Sequence, residues 1–314
     1  MANYLLKRLG ASILTALIAT FLIFFLVRLV PGDAVAQMMG QAGGPQAEAV
    51  LRAFFGLDQP LHVQYLAWLG DTLRGNLGVS WTRGIPVSEM IFSAFMVTLQ
   101  LGLVPLAVAT LIGVPLGIVA GIYEGKALDT AIQGFNVIGL SAPVFWVGLM
   151  LLVAVSSLFA WSPPLRFVPP TQSLADNIAI LVLPVLSLAL LQVAAYSQFV
   201  RQNVVSALQE QYVRTAIAKG MPTRIVFFKH ILRNVTIPIV TFMGLILIQI
   251  LGGVVIIESL FALPGLGRLL LTAIETRDYP VVQGALLLVV LVAMTINLII
   301  DIAYHAIDPR LRVT

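Results

Sequence analysis

Cysteine is absent from the 314-residue sequence, and histidine occurs only three times. Without thiols the chain can form no disulfide and no thiolate metal site, although this absence does not identify a redox compartment. The histidines, His62, His230 and His305, show no metal-ligand spacing such as His-Glu-x-x-His. We therefore predict neither catalysis nor an intrinsic metal site, and the chain is not expected to be an enzyme.

Charged residues are also scarce, at 10% of the sequence, whereas 59% of residues are hydrophobic and the mean hydropathy is +0.99. Soluble domains carry about 25% charged residues, so this composition indicates an integral membrane protein. A membrane helix needs about 20 apolar residues, because lipid offers the backbone no hydrogen-bond partners. Uncharged runs of this length occur at residues 9–27, 96–123, 131–161, 177–200, 234–257 and 279–300. They predict an all-α polytopic membrane protein with six transmembrane helices.

Lysine and arginine are distributed unevenly among the short loops, and this asymmetry predicts the orientation. If the N-terminus is cytoplasmic, the short outer loops hold only Arg166, Arg268 and Arg277. The inner side then holds Lys7, Arg8, Lys126, Arg201, Arg214, Lys219, Arg224, Lys229, Arg233, Arg310 and Arg312. Both termini are therefore predicted to be cytoplasmic. No Ala-x-Ala cleavage pattern follows the first run, which is interpreted as a retained span.

The chain divides by pattern into two parts. Residues 1–95 are predicted to hold the first span and an external helical segment, and residues 96–314 a five-span core with a cytoplasmic loop at 201–233. In the external segment, AEAVLRAFFG and LHVQYLAWLGDTLRG have helical spacing and end in a glycine suited to a C-terminal cap. A further external helix is predicted from Leu266, with apolar residues at 266, 269, 270, 273 and 274, and with Arg268, Glu275 and Arg277 off that face.

Proline and glycine recur inside the predicted spans, at Pro105, Pro115, Pro143 and Pro184 and at Gly113, Gly117, Gly121, Gly134, Gly139 and Gly148. Small residues let membrane helices approach closely, and this interpretation is favoured over a bundle that kinks or moves. Ionisable residues are nearly absent from the spans. Arg28, Glu258 and Asp301 fall at predicted span ends, where we expect them to snorkel to the interface, so ion coupling has little support.

The predicted cytoplasmic loop contains YVRTAIAKGMPTRIVFFKHILRN at residues 212–234, with five Lys/Arg and no acidic residue. Residues 212–219 are predicted to form a short helix that Gly220 and Pro222 end, and a second helical pattern follows. Attraction to anionic lipid would explain the positive charge, but it would not explain why a short helix is followed by a glycine and then by a second helical pattern.

A P-loop for ATP requires Gly-x-x-x-x-Gly-Lys-Ser/Thr. The nearest stretch, AGIYEGKA, has Ala120 in place of the first glycine and Ala127 in place of the hydroxyl residue. This chain is therefore not expected to bind ATP through a P-loop.

The basic loop resembles the cytoplasmic signature loop of bacterial ABC-importer permeases, and YVRTAxAKG followed by HxLRN is similar to the version in the dipeptide/oligopeptide/nickel subgroup. Other stretches resemble that subgroup in the same order. They are LVPGD at 29–33, GLDQPLHVQYLAW from Gly56, GNLGVS at 75–80, IPV at 85–87, PGLGRLL from Pro264, RDYPVVQG from Arg277 and DPRLR at 308–312. The departures are Ala34, Asn76 and Leu263, where the subgroup often has Pro, Asp and Trp.

The resemblance implies a type I ABC-importer permease fold with a cytoplasmic coupling helix that docks on an ATP-binding subunit. The implied docking residues are Arg214, Thr215, Ala216, Lys219, Gly220, Met221 and Pro222. The implied partners are a second homologous permease, two ATP-binding subunits and an extracytoplasmic solute-binding protein. Membrane lipid is also an expected partner, and nucleic acid is not. ATP and magnesium would be bound by the partner subunits, so no cofactor is expected in this chain. Arg268, Glu275 and Arg277 are candidates for docking the binding protein, with interfacial anchoring as an equal alternative.

The expected function is inward transport of dipeptides, oligopeptides or a related small solute across a bacterial inner membrane. Importers of nickel or metal chelates, glutathione or opines in the same family remain alternatives. A self-sufficient channel or ion-coupled carrier is the rival class.

Overall fold

The computed structural model describes residues 2–29, 34–39, 44–164, 166–222 and 225–307, without the side chains of residues 2–9, 34, 37–38, 229–230, 233, 249–253 and 303–307. Most of LVPGD and all of DPRLR lie outside the described residues, as do Arg224, Arg310 and Arg312. Apart from an isolated antiparallel bridge between Val79 and Pro86, the regular structure within the described ranges is helical.

The helices in chain order are α1 (Ala2–Leu29), α2 (Ala34–Met39), α3 (Pro45–Phe54), α4 (Leu61–Leu73), α5 (Val87–Ile122), α6 (Ala127–Ser141), α7 (Val144–Phe159), α8 (Leu174–Gln209), α9 (Gln211–Ala218), α10 (Leu232–Leu260), α11 (Leu266–Glu275) and α12 (Tyr279–Ile307). A π-helical turn at Val226–Ile231 leads directly into α10.

Helices α1, α5, α8 and α12 are long and apolar enough to cross a membrane, with spans at Gly10–Leu29, Val87–Ile122, Leu174–Gln209 and Tyr279–Ile302. Helices α6 and α7 add a fifth span if the bent pair crosses as one, and α10 has a shorter apolar stretch at Asn234–Ile248. Over the described residues, the protein is thus an all-helical membrane protein with four to five candidate spans.

The run at 131–161 was expected to form one span, but α6 and α7 meet at an angle of 99°. Pro143 explains the break, because the residue before a proline is pushed out of the helical conformation. Ala142 has φ −81° and ψ 125°, which is extended backbone. Pro105, Pro115 and Pro184, by contrast, lie inside continuous helices.

Contacts divide the chain into two units, of which the first comprises Met1–Val97 and Pro264–Thr295. Its apolar core contains Val27, Val87, Ile91, Ala94, Leu266, Ala273, Val281, Val282 and Ala285. The two helices predicted in the segment before α5 are confirmed as α3 and α4, and the glycines after them, Gly56 and Gly75, have φ +65° and +82°. The predicted apolar face of α11 is confirmed for Leu266 and Ala273, which are buried, whereas Ile274 is exposed.

The second unit comprises Thr98–Leu263 and Ile296–Thr314, and α8 lies at its centre. Helix α8 packs against α6, α7 and α10, and its Tyr196, Val200 and Val204 are fully buried. Gly113, Gly117 and Gly121 of α5 face α8 so closely that an added Cβ would lie 2.5–2.8 Å from its atoms. The expectation that small residues permit close helix packing is therefore confirmed for these three glycines.

The expectation that Glu258 snorkels was wrong. Its side chain is 0% exposed, and its carboxylate accepts a hydrogen bond from the Thr98 hydroxyl at 2.5 Å. Glu258 lies in the last turn of α10, and a carboxylate is stable at such a place only with polar partners. Arg28 is also half-buried and donates to Gln64 rather than to solvent alone.

Candidate functional site

The basic segment at 201–233 begins on α8, which has 36 residues. At about 1.5 Å per residue this helix is about 54 Å long, whereas the hydrocarbon core of a bilayer is about 30 Å thick. Its last turns therefore extend beyond the apolar run that ends at residue 200. The extended backbone at Glu210, with φ −65° and ψ 145°, ends α8 and begins α9.

Helix α9, Gln211–Ala218, confirms the short helix predicted at 212–219. Its inner face carries Val213 and Ala216, which are 0% and 8% exposed and pack towards α8 and the π-helical turn. The Asn234 amide nitrogen donates to the Tyr212 hydroxyl at 2.9 Å and ties α9 to the start of α10. The short helix is thus held in a fixed position rather than projecting freely.

Gly220 ends α9, as predicted, with a φ of +74°, which lies in the left-handed region. Its N–H donates to the carbonyl of Ile217 at 2.9 Å, and the N–H of Met221 donates to the carbonyl of Ala216 at 3.2 Å. These two bonds form a Schellman motif, in which glycine is favoured because it has no Cβ to strain. A Cβ at Gly220 would have no atom of the described residues within 4 Å.

The outer face of α9 combines cations with apolar side chains. Arg214, Thr215, Lys219 and Pro222 are exposed, and so is Ile217, at 56%. Of the residues predicted to dock, Ala216 is buried and Met221 is half-buried, so these two side chains offer a partner little surface. Further apolar surface follows at Ile225 and Phe228, which are also exposed. Exposed apolar groups beside charges are typical of a surface that contacts another protein.

An ion pair between the half-buried Arg201 and the buried Asp129 supports this segment and was missed from the sequence. Arg201 Nε and Nη2 donate to the two carboxylate oxygens of Asp129 at 2.6 and 2.8 Å, and the Gly125 N–H donates to the same carboxylate at 2.9 Å. Asp129, on the first turn of α6, is only 4% exposed. A bidentate pair of this kind fixes orientation as well as distance. It locks α6 and the turn before it to α8, nine residues before Glu210.

The second predicted set lies on α11 and just after it. Arg268 and Glu275 are seven residues apart and therefore share an exposed helix face. Arg277 is half-buried and has φ +53°, an uncommon conformation for a residue with a side chain. The structure thus places Arg268 and Glu275 together on one surface and Arg277 in the turn that follows α11.

Asp278 is a second anchor that the sequence did not reveal. It is 2% exposed and accepts hydrogen bonds from the Ser80 hydroxyl, from the Trp81 N–H at 3.1 Å and from the Thr82 hydroxyl at 2.8 Å. It joins the stretch GNLGVS to RDYPVVQG, which are far apart in sequence. The buried carboxylate therefore fixes the loop before α5 to the turn between α11 and α12.

Two family descriptions match the chain. Residues 113–313 match the binding-protein-dependent transport system inner membrane component, and residues 1–102 match the N-terminal region of the membrane component of such systems.

Curated relatives match over nearly the whole length. A probable peptide ABC transporter permease of Sinorhizobium fredii, y4tP, is 36% identical over 99% of this chain and 100% of its own. The dipeptide transport system permease DppB of Escherichia coli K12 is 35% identical over 99% of both chains. The glutathione transport system permease GsiC of Salmonella choleraesuis is 39% identical over 99% of both chains.

Among solved structures, an inward-facing conformation of the MetNI methionine ABC transporter has a chain with the same fold. Its TM-score is 0.52 at 17% identity, over 70% of this chain and 97% of that chain.

Proposed function

Because this chain belongs to the family of binding-protein-dependent transport system inner membrane components, and is thus an ABC-transporter permease and not an enzyme, we propose that it imports short peptides. ATPase and binding-protein partners follow from the family. The proposal for the solute is supported by relatives named for peptides and dipeptides at 36% and 35% identity over their full lengths. Glutathione, itself a tripeptide, is the second candidate, because a glutathione permease is 39% identical.

We propose that α9 is the coupling helix of a type I permease fold with six spans. ATP bound to a partner can change the permease only through contacts that differ between two states. The exposed face with Arg214, Thr215 and Lys219, together with Gly220 and Pro222 at its end, offers such a contact. Val213 and Ala216 are buried where α9 packs against α8 and the π-helical turn, so a displacement of α9 is transmitted to α8.

The proposed assembly contains a second homologous permease, two ATP-binding subunits inside and a solute-binding protein outside. In it, both termini and residues 201–233 are cytoplasmic, residues 1–95 form the first span with the external helices, and residues 96–314 form the five-span core. The excess of Lys/Arg in one set of short loops supports this orientation.

Reconstituted vesicles test the function. With both permeases, the ATP-binding subunits and the binding protein, we expect ATP-dependent accumulation of a labelled dipeptide, and none when the ATP-binding subunits are omitted. Uptake without those subunits would instead identify a self-sufficient channel or carrier. Competition by unlabelled glutathione at equal concentration separates the two candidate solutes.

The same vesicles test the outer docking surface, for which we propose Arg268, Glu275 and Arg277. Reversing all three charges is expected to reduce binding-protein-stimulated ATPase activity at least about fivefold at low salt, because complementary charge steers association. Basal ATPase activity should stay unchanged. Arg74→Glu, on an exposed residue outside this set, is the matched control. Equal stimulation of the triple variant and the control would favour plain interfacial anchoring of α11.

A further inference from the structure

A cavity of about 420 Å³ opens in the first unit, where the end of α1, helix α4, residues 76–81 and the first turn of α12 meet. Pockets for small ligands usually measure about 300–1,000 Å³. In the proposed topology this cavity lies on the external side. Its lining carries aromatic, amide and cationic side chains.

The apolar wall of the cavity is aromatic. The rings of Phe55 and Trp81 lie 4.4 Å apart, and Tyr279 packs behind Trp81 at 5.2 Å. Trp68 also lines the cavity and lies 5.9 Å from Phe24. Such rings are held in place by one another and offer rigid faces to an apolar or aromatic side chain.

Arg28 supplies positive charge to the same cavity. Its Nε and Nη2 donate to the Gln64 side-chain oxygen at 3.2 and 3.1 Å, and its Nη1 donates to the Phe24 carbonyl at 3.2 Å. These acceptors are neutral, and no carboxylate among the described residues pairs with Arg28. The acidic residue in the lining, Asp71, lies 3.8 Å from Arg74 instead. A half-buried guanidinium with neutral partners favours a carboxylate ligand.

Gln283 supplies a donor. Its side chain lines the cavity and is only 3% exposed, and its amide nitrogen has no hydrogen-bond partner within the described part of the chain. A buried donor without a partner costs about 1–3 kcal/mol, so the position favours a ligand with an acceptor such as a peptide carbonyl.

We propose that this cavity binds a short peptide, with its terminal carboxylate at Arg28, a carbonyl at Gln283 and an apolar side chain against Trp81 and Phe55. The choice of a peptide rests on the proposed function, whereas the carboxylate, acceptor and apolar requirements rest on the cavity. The site would bind solute on the external side, and this binding would not require the ATP-binding subunits.

Binding is measured on the full chain in lipid nanodiscs, without ATP-binding subunits, by tryptophan fluorescence. Two of the four tryptophans, Trp68 and Trp81, line the cavity, so Trp146 and Trp161 are first replaced by phenylalanine. Alanyl-phenylalanine should change the fluorescence saturably. Its C-terminal amide should bind at least about tenfold more weakly, because the charge-assisted hydrogen bond is lost.

Gln283→Leu, which keeps the side-chain size, should weaken dipeptide binding about tenfold without lowering the melting temperature. Arg28→Gln should remove the preference for the free carboxylate. Arg166→Gln, at an exposed residue of the second unit that does not line the cavity, is the control and should bind normally. Equal binding of dipeptide and amide, or unchanged binding in Gln283→Leu, would overturn the site, even if Arg28→Gln fails to fold. If vesicles show ATP-driven uptake but the nanodisc assay shows no dipeptide binding, only the proposed site is contradicted. If the dipeptide binds but is not taken up, only the proposed function is contradicted.

Discussion

Replacing Gly117 by alanine is expected to destabilise the protein strongly, and replacing it by leucine should abolish folded protein in the membrane. A Cβ at this position would lie 2.5 Å from the Ser197 carbonyl oxygen and 2.7 Å from the Val200 Cβ. Because one of these atoms belongs to the α8 backbone, a rotamer change cannot relieve the clash. Overpacking costs about 1–3 kcal/mol or more, and against a backbone atom we expect the upper part of this range, which exceeds the roughly 1 kcal/mol that alanine gains over glycine in a helix.

Gly134→Ala is the matched control, since it makes the same change in α6, where an added Cβ meets no atom of the described part of the chain within 4 Å. There only the helix propensity changes, so the variant should be as stable as the parent or more stable. The measurement is the melting temperature and the monodisperse yield of detergent-solubilised protein. Equal melting temperatures and yields for the two alanine variants would mean that α5 and α8 are not packed as closely at Gly117 as the structure shows.

Local features were predictable from the sequence because a few neighbouring residues determine them. The end of α9 follows from Gly220 and Pro222, and the ends of α3 and α4 follow from Gly56 and Gly75. The break at Pro143 has an equally local cause, yet the run at 131–161 is uncharged throughout, and hydropathy alone does not register a bend.

Pairings between distant residues were not predictable. Asp129 and Arg201 are 72 residues apart, and Asp278 and Trp81 are 197 apart, so no spacing rule joins them. Glu258 was misjudged for the same reason. Its place near a span end suggested solvent, whereas its partner Thr98 lies on another helix, 160 residues earlier. Single charges in an apolar chain indicate that partners exist, but only the fold identifies them.

The α9 face was predictable only in part. Helical spacing places Val213 and Ile217 near each other, but the structure buries Val213 with Ala216 and leaves Ile217 exposed. Which residues of so short a helix are buried depends on how α9 is positioned relative to α8. That position is determined by the bend at Glu210 and by the ion pair between Asp129 and Arg201. Neither determinant can be read from the eight residues of α9.

Gly220→Val is expected to reduce ATP-driven dipeptide uptake at least about tenfold while the subunit still inserts and assembles with its partners. Valine is strained at a φ of +74°, so the Schellman bonds to Ile217 and Ala216 should be lost and the end of α9 displaced. The Cβ of the new side chain would meet no atom of the described residues within 4 Å, so the fold should persist. The measurement is the ratio of solute transported to ATP hydrolysed, alongside the yield of the assembled complex.

Two further variants separate the possible causes. Asparagine tolerates the left-handed conformation. The Gly220→Asn variant should therefore retain most uptake if the backbone conformation at this position is required for coupling. It should lose uptake if the partner subunit packs directly on Gly220. Lys219→Gln should have little effect, because exposed charges usually contribute under about 1 kcal/mol. If Lys219→Gln abolished uptake while Gly220→Val left it intact, the segment would act through its charge, as a lipid anchor does. The coupling role proposed for α9 would then have to be abandoned, because a docking helix depends on its shape and an anchor does not.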